Sequence, residues 1–367
     1  MFIIECVITE KCNLGCSYCY MNNNPVDMSI DTFNNILNNL DIVLKKYQQN
    51  NYHLDFFGGE PLLNWELIEN AVPLLKKDKK CKSFGIISNL LELDEKKVEY
   101  IKRNNINVSF SFDGLWNEYN RPLKNGSSSL KVYKKKKDLI KQISPYGCKT
   151  MVSPTSLGTL VDNVKYLVEE WGFVFPDYSL VRDDIWNEED IKKFKNEIRD
   201  LSNLQIEYIK KSKDVIIGFY RLYLLDMFFG KKYGKRSFGC FAGYNGMGIM
   251  PNGIGYPCAR FGTNKEYPLF DFNNNYFYED NIKIFRNQKN VNPQSFEKCQ
   301  NCYLYNYCNA GCTYSQMKND FKPVNSVCKL FKILYDECLY IFDEIGTNEN
   351  FLKLLIPENI KGEWRYE

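Results

Sequence analysis

The chain has almost no histidine: among 367 residues there is one, His53. It falls at the buried start of an expected strand, where a hydrogen-bonded core imidazole is the default, and no role is given to it. Charge excess is missing as well. The net charge of +3 is too weak and too dispersed to argue for nucleic acid. The densest basic run, Lys134 to Lys137, reads as the solvated face of a helix. Long apolar runs are also absent, since none approaches the roughly 18 residues a membrane span needs. The richest, "VIIGFYRLYLLDMFFG", is broken by Arg221 and Asp226 and reads as a core helix. No basic segment of a secretory signal precedes the first strand, and there is no low-complexity tract or solenoid repeat. These absences exclude nucleic-acid and membrane partners and point to the reducing cytoplasm. Fourteen cysteines in that compartment argue for metal ligation over disulfides.

The apolar fraction of 44% and charged fraction of 25% suit a large globular core. From the start to about Leu180, short apolar runs alternate with amphipathic stretches. "MFIIECVIT", "HLDFF", "SFGIIS", "NVSFSFD", "CKTMVSP" and "PDYSL" read as six strands. Helices are expected from an N-cap at Ser29 to Tyr47, over Trp65–Lys76 and Glu95–Arg103, from Leu130 to Ile143 and over Leu160–Trp171. Repeated βα units favour a parallel sheet covered by helices, here an α/β partial (β/α)6 TIM-type barrel. Its working face would lie at the C-terminal ends of the strands. Residues 1–185 are expected to be this barrel and 186–237 a helical link. A cysteine-dense domain, rich in glycine, asparagine and aromatics, takes 238–330, and a final helix and tail take 331–367.

The chemistry concentrates in "ITEKCNLGCSYCYMN". Cys12, Cys16 and Cys19 follow the first strand directly, with gaps of three and two residues. A [4Fe–4S] cube has four irons, so three thiolates leave one iron for another ligand. Structural zinc wants four ligands, and no fourth Cys or His is near in sequence. Cys-x3-Cys-x2-Cys with the aromatic Tyr18 before the last cysteine resembles the signature of the radical S-adenosylmethionine (SAM) superfamily. Further motifs of that family stand in order at strand ends. "GGEP" supplies Gly58, Gly59 and Glu60, which the resemblance places against the methionine amino group of SAM, with Glu60 fixing the turn or adding acceptor character. "SNL" gives Ser88 and Asn89, with Leu90 where the family has glycine. "SFSFDG" gives Ser109, Ser111, Asp113 and Gly114, and Arg121 matches an arginine that pairs with the SAM carboxylate.

A second set of cysteines runs through the later part of the chain. Cys240 and Cys258 flank a glycine-rich stretch with Gly253, and Cys299-x2-Cys302-x5-Cys308-x3-Cys312 and Cys328 follow. In isolation "CQNCYLYNYC" also suits a zinc ribbon. The seven-cysteine order resembles the SPASM domain, which carries auxiliary iron–sulfur clusters. By that resemblance Cys299, Cys302, Cys308 and Cys328 hold one cluster, and Cys240, Cys258 and Cys312 hold another. Sulfatase-maturing relatives offer a further cysteine near "YNGMG", which this chain lacks. The fourth position there is open, filled by a non-cysteine side chain, or filled by Cys338. Cys6, Cys81 and Cys148 fall on strands or their edges and read as structural.

The resemblance implies three [4Fe–4S] clusters and SAM as cofactors. It implies hydrogen abstraction from a precursor peptide by a 5'-deoxyadenosyl radical, and an external electron donor of flavodoxin or ferredoxin type. The first strand begins almost at residue 1, so no leader-binding domain is expected before it. The peptide is then held by the body, by strand addition at an open sheet edge, or by a separate leader-binding protein. The function expected is a peptide maturase forming an oxidative cross-link, with a thioether from cysteine the product. Alternatives are an anaerobic sulfatase-maturing enzyme making formylglycine and a carbon–carbon cross-linking or epimerising maturase. From another class, a non-catalytic zinc or electron-transfer module stays open. Asp113, Asp177 and Arg182 are charged candidates for the barrel mouth, but no catalytic base is assigned.

Overall fold

A computed structural model describes residues 1–183, 185–229, 240–286, 296–305, 307–308, 311–346, 348, 351–352 and 355. Residues 230–237 of the expected link, 238–239 of the cysteine-dense segment and the tail beyond 355 lie outside the described residues. Six parallel strands alternate with helices in the order read from sequence. They are β1 (Phe2–Thr9), β2 (Tyr52–Gly58), β3 (Cys81–Ser88), β4 (Asn107–Phe110), β5 (Gly147–Val152) and β6 (Phe175–Leu180). The described chain divides into two compact units that alternate along the sequence. One comprises Met1–Phe110, Leu123–Ser127 and Cys240–Asn290, and the other Ser111–Pro122, Ser128–Gly239 and Val291–Glu367.

In the first unit β1 to β4 pair in chain order, and β1 takes a further parallel neighbour, β7 (Gly246–Ile249). Antiparallel β8 (Ile254–Tyr256), β9 (Phe270–Asp271) and β10 (Tyr276–Phe277) extend that side. Helix α1 (Ile30–Lys46) starts where Ser29 Oγ accepts the Thr32 N–H at 3.1 Å. Its buried Phe33, Ile36, Leu40, Val43 and Leu44 make the apolar stripe that a sheet-covering helix needs. Phe33 stacks on Phe56 of β2 with ring centres 6.2 Å apart. Helices α2 (Trp65–Lys77) and α3 (Glu95–Arg103) follow β2 and β3, and Asp94 caps α3 by accepting the Lys97 N–H at 2.8 Å.

Because strand side chains alternate, the sheet has two unlike faces. Ile4, Cys6, Leu54 and Phe56 share one, all buried and apolar. Glu5, His53, Asp55 and Ser83 share the other. His53 is fully buried there, with Nε2 3.0 Å from Asp55 Oδ1 and Nδ1 in a 2.7 Å hydrogen bond with Ser83 Oγ, a hydrogen-bonded interior imidazole as expected.

The second unit begins at Ser111, whose bridge to Lys149 and the Phe112 N–H to Lys149 oxygen bond (3.0 Å) lead into the β5–β6 pair. The helix expected over Leu160–Trp171 is regular only to Lys165. A widened turn follows over Tyr166–Glu170, and Trp171 rests 4.6 Å from the Phe112 ring. Two long helices, Glu188–Lys210 and Asn325–Ile345, pack against each other, and Arg199 pairs with the buried Glu337 at 2.8 Å. The last helix starts at Asn325, ahead of the 331 expected for the closing segment, so Cys328 sits on it. The expected apolar helix is Gly218–Phe229, and no helix among the described residues is long and apolar enough to cross a membrane.

Candidate active site

β1 ends at Thr9, and the loop that leaves it is closed at its neck by short polar contacts. Thr9 Oγ1 donates to Asp27 Oδ1 at 2.6 Å, Lys11 Nζ reaches Asp27 Oδ2 at 2.5 Å, and the Met28 N–H returns to Ile8 oxygen at 2.8 Å. Inside that neck lie the three thiols, none in a disulfide. Cys12 and Cys16 are half-buried and Cys19 is exposed. The Leu14 N–H points at Cys12 Sγ from 3.4 Å, and the Cys19 N–H donates to Cys16 oxygen at 3.1 Å. Burial pushes the Cys12 thiol up to about 11, the nearby Glu60 and Cys19 add to this, and the Leu14 N–H opposes it. A free thiol here is therefore protonated at neutral pH, and thiolate ligation needs a cation to offset that cost.

The end of β2 is built into the loop's backbone. A Cβ on Gly58, whose φ is +140°, would lie 2.1 Å from Thr9 oxygen, and one on Gly59 would lie 2.2 Å from Lys11 oxygen. Only glycine fits this approach. Glu60 follows, fully buried, with its N–H on Lys11 oxygen at 2.7 Å. Its carboxylate accepts from Ser88 Oγ at 2.6 Å, the Asn89 N–H at 2.7 Å and the Leu62 N–H at 3.0 Å. Burial raises its pKa to about 7 against the pull of these donors. Asn89 completes the web by donating from Nδ2 to Asn13 Oδ1 at 2.8 Å, beside Cys12. Leu90 adopts φ +60°, the left-handed conformation that glycine favours. Its side chain is fully buried, so packing holds it there at a conformational cost of about 1 kcal/mol.

Gly58, Gly59, Glu60, Ser88 and Asn89 are thus brought together around the Cys12 end of the loop, and Tyr18 is half-buried within it. Ser111, Asp113 and Arg121 belong to the second unit. There the buried Asp113 forms an ion pair with Arg121 (Nε to Oδ1, 3.0 Å) and accepts hydrogen bonds from the Met151 N–H at 2.9 Å and Asn120 Nδ2 at 3.3 Å.

The later cysteines are all half-buried and unbridged, apart from Cys338. Cys240 and Cys258 lie in the first unit and Cys312 in the second. Cys299, Cys302, Cys308 and Cys328 share the second unit, with the Cys302 N–H donating to Cys299 oxygen at 3.0 Å. Cys328 occupies the first turn of the 21-residue helix Asn325–Ile345, where the helix dipole favours a thiolate. Burial raises the Cys299 and Cys328 thiols, while Lys298 and Lys332 pull both down. Cys338 is fully buried with Sγ 3.9 Å from Tyr220 oxygen, which packing alone explains. Cys6 and Cys148 are buried on strands, and Cys81 is half-buried at the start of β3. Among the described residues no three His, Cys, Asp or Glu groups are close enough to grip a single metal ion. A cluster that gives each thiolate its own iron takes sulfurs set further apart, and Cys12, Cys16 and Cys19, free of disulfides on one loop, have the donor chemistry it needs.

Sequence reasoning passed over Glu5, Tyr20 and Arg260. Glu5 stands on the polar face of β1, its pKa raised to about 7 first by burial, although the Ala259 N–H bond opposes this. Its signal was a lone carboxylate within the apolar "FIIECVIT".

A parallel α/β sheet with a three-thiol loop at the exit of its first strand, braced by the next two strand ends, defines a class of cluster-dependent enzymes. Residues 6–169 match the radical SAM superfamily. The chain therefore carries a radical SAM domain. MJ0907, an uncharacterised protein of Methanocaldococcus jannaschii, is 38% identical over 169 residues, covering 44% of this chain and 56% of that protein. The radical SAM cyclopropyl synthase TigE of Paramaledivibacter caminithermalis is 26% identical over 360 residues, 90% of this chain and 72% of the relative. Among solved structures, native anSMEcpe with bound AdoMet and Cp18Cys peptide superposes with a TM-score of 0.75. That match has 19% identity, covers 95% of this chain and 99% of the other, and bears on fold alone.

Proposed function

We propose that the chain is a radical SAM peptide maturase that removes hydrogen from a ribosomally made peptide and closes an oxidative cross-link, a thioether from cysteine. The observation that carries the enzyme reading is the loop of Cys12, Cys16 and Cys19, fastened by Glu60 to Ser88 and Asn89. These three thiols would hold a [4Fe–4S] cluster and leave one iron for SAM. Gly58, Gly59, Glu60, Ser88 and Asn89, with Tyr18, Ser111, Asp113 and Arg121, are proposed as the SAM contacts. Cys240, Cys258 and Cys312 would hold one auxiliary cluster, and Cys299, Cys302, Cys308 and Cys328 the other. When bound, SAM and the clusters supply a carbon-centred radical and an acceptor for the electron the substrate gives up. The chain's own part is to position thiolates, to orient SAM through backbone and carboxylate, and to exclude water.

The barrel over 1–185, the link 186–237, the SPASM domain 238–330 and the closing segment 331–367 remain our proposed division. A flavodoxin or ferredoxin is the proposed electron donor, with a separate protein available to hold the leader. A second reading is carbon–carbon ring closure, favoured by the relative named cyclopropyl synthase. The test is anaerobic co-expression with candidate short cysteine-containing peptides from the gene's neighbourhood, followed by mass spectrometry. Loss of two hydrogens together with loss of an alkylatable thiol supports the thioether. The same mass loss with the thiol intact supports carbon–carbon closure, replacement of a cysteine sulfur by oxygen together with loss of two hydrogens supports formylglycine, and zinc without SAM cleavage overturns the enzyme reading.

A further inference from the structure

Directly after Cys19 come Tyr20, Met21 and Asn22, and directly after Cys258 comes the short helix Ala259–Thr263. In the first unit these two arms are tied together. Asn22 Nδ2 donates to Thr263 oxygen at 3.0 Å, and Thr263 Oγ1 lies 3.1 Å from Met21 Sδ. The Arg260 guanidinium stands over the Tyr20 ring, 5.7 Å from its centre. The Tyr20 hydroxyl lies within electrostatic reach of both Cys19 and Cys258.

The arm after Cys258 is in turn anchored to the sheet. Glu5 on β1 accepts the Ala259 N–H at 2.9 Å. β7, beside β1, brings Gly248 so close that a Cβ there would lie 2.2 Å from Ala259 nitrogen and 2.4 Å from the Cys258 carbonyl carbon. No side chain fits between strand and arm. Three independent devices therefore fix Cys258 against the thiol loop: a half-buried carboxylate, a missing side chain and a pair of cross-arm hydrogen bonds.

We propose that Glu5, Asn22, Arg260 and Thr263 form a clasp that sets the separation between the Cys12–Cys16–Cys19 cluster and the cluster held through Cys258. This rests on the ligand assignments proposed above. The residues act through the cysteine arms and are positioning residues. A fixed gap matters because magnetic and electrostatic coupling between two clusters both fall with distance.

The test uses the anaerobically reconstituted full chain, its iron and sulfide content, and the microwave power saturation of the reduced SAM-site cluster's EPR signal. A neighbouring paramagnet speeds spin relaxation, so saturation reports the gap. We expect Asn22→Ala/Thr263→Val to keep its iron but to saturate at lower power than the wild type. Arg260→Ala should change in the same sense and Arg260→Lys, which keeps the cation, less. Wild-type saturation in both the double variant and Arg260→Ala, or loss of iron from them, overturns the clasp. Failure of the ligand reading is separate: it appears as Cys258→Ala retaining all the iron and the relaxation of the wild type.

Discussion

The two thiol-rich regions are held by different means. The Cys12–Cys19 loop leaves a buried parallel strand, and its neck and Cys12 end are bonded to the ends of β2 and β3 through Glu60, Ser88 and Asn89. Cys299, Cys302 and Cys308 sit instead on single turns, and the 297–300 helix that carries Cys299 buries none of its side chains. Their neighbours are lysines and tyrosines, such as Lys298, Lys332 and Tyr303, rather than a sheet. The first region is organised by the fold before anything binds. In the second, Leu304 is a buried apolar side chain with few such neighbours nearby, and the auxiliary cluster proposed above would supply the order that burial does not.

Five experiments would break or sharpen that contrast, and the largest effect should come from the ligands themselves. Cys12→Ala/Cys16→Ala/Cys19→Ala should reduce 5'-deoxyadenosine formation by more than about 1000-fold, to background, as read by chromatography. Cys299→Ala/Cys302→Ala should leave SAM cleavage within about tenfold of wild type while abolishing peptide product. Next, stripping iron with a chelator should speed amide exchange over 296–312 by roughly 100-fold and leave β1 to β3 protected. Equal protection in the two regions would end the contrast.

A smaller effect is expected at Glu60. Glu60→Gln loses the Asn89 N–H bond and should cost about 1–3 kcal/mol in a chemical denaturation series. Its folded pKa, about 7, lies above the ordinary 4.5. The folded chain therefore holds a proton that the unfolded chain releases between those values. The stability contributed by that proton is full below about 4.5 and is lost as pH rises through about 7. Glu60→Gln should flatten that slope, and an unchanged slope would place the titration on Glu5 instead. Smallest is Ser29→Ala, which removes the cap of α1 and should cost about 1 kcal/mol without changing iron content at either region.

Much of this was legible in the sequence, for identifiable reasons. Apolar runs such as "HLDFF" and caps such as Ser29 and Asp94 mark their elements because period and capping are local properties. Cysteine spacing is local too, and so the thiol sets could be read directly. β7 was passed over because "GMGI" has the glycine content of a loop. Those glycines are there for the close approach of Ile3 and Ala259, which are remote in sequence. Glu5 and the Glu60 web were hidden for the same reason, since their partners, Ala259 and Ser88, lie on elements far along the chain. The widened turn at Tyr166–Glu170 has no sequence signal that we recognise. The motifs at the ends of β1 to β3 marked loops that meet within the first unit, but nothing in the sequence showed the ion pair of Asp113 with Arg121.

The pairing of β1 with β7 also bears on how the chain is made. β1 is an inner strand of the sheet, yet one of its two neighbours is not synthesised until residue 249. Until that point the growing chain carries an apolar parallel strand with one row of amide and carbonyl groups unsatisfied. A nascent chain stalled before Gly246 is therefore the form of this protein most exposed to edge-to-edge association. Protection of that edge during translation is a task the finished fold no longer reveals.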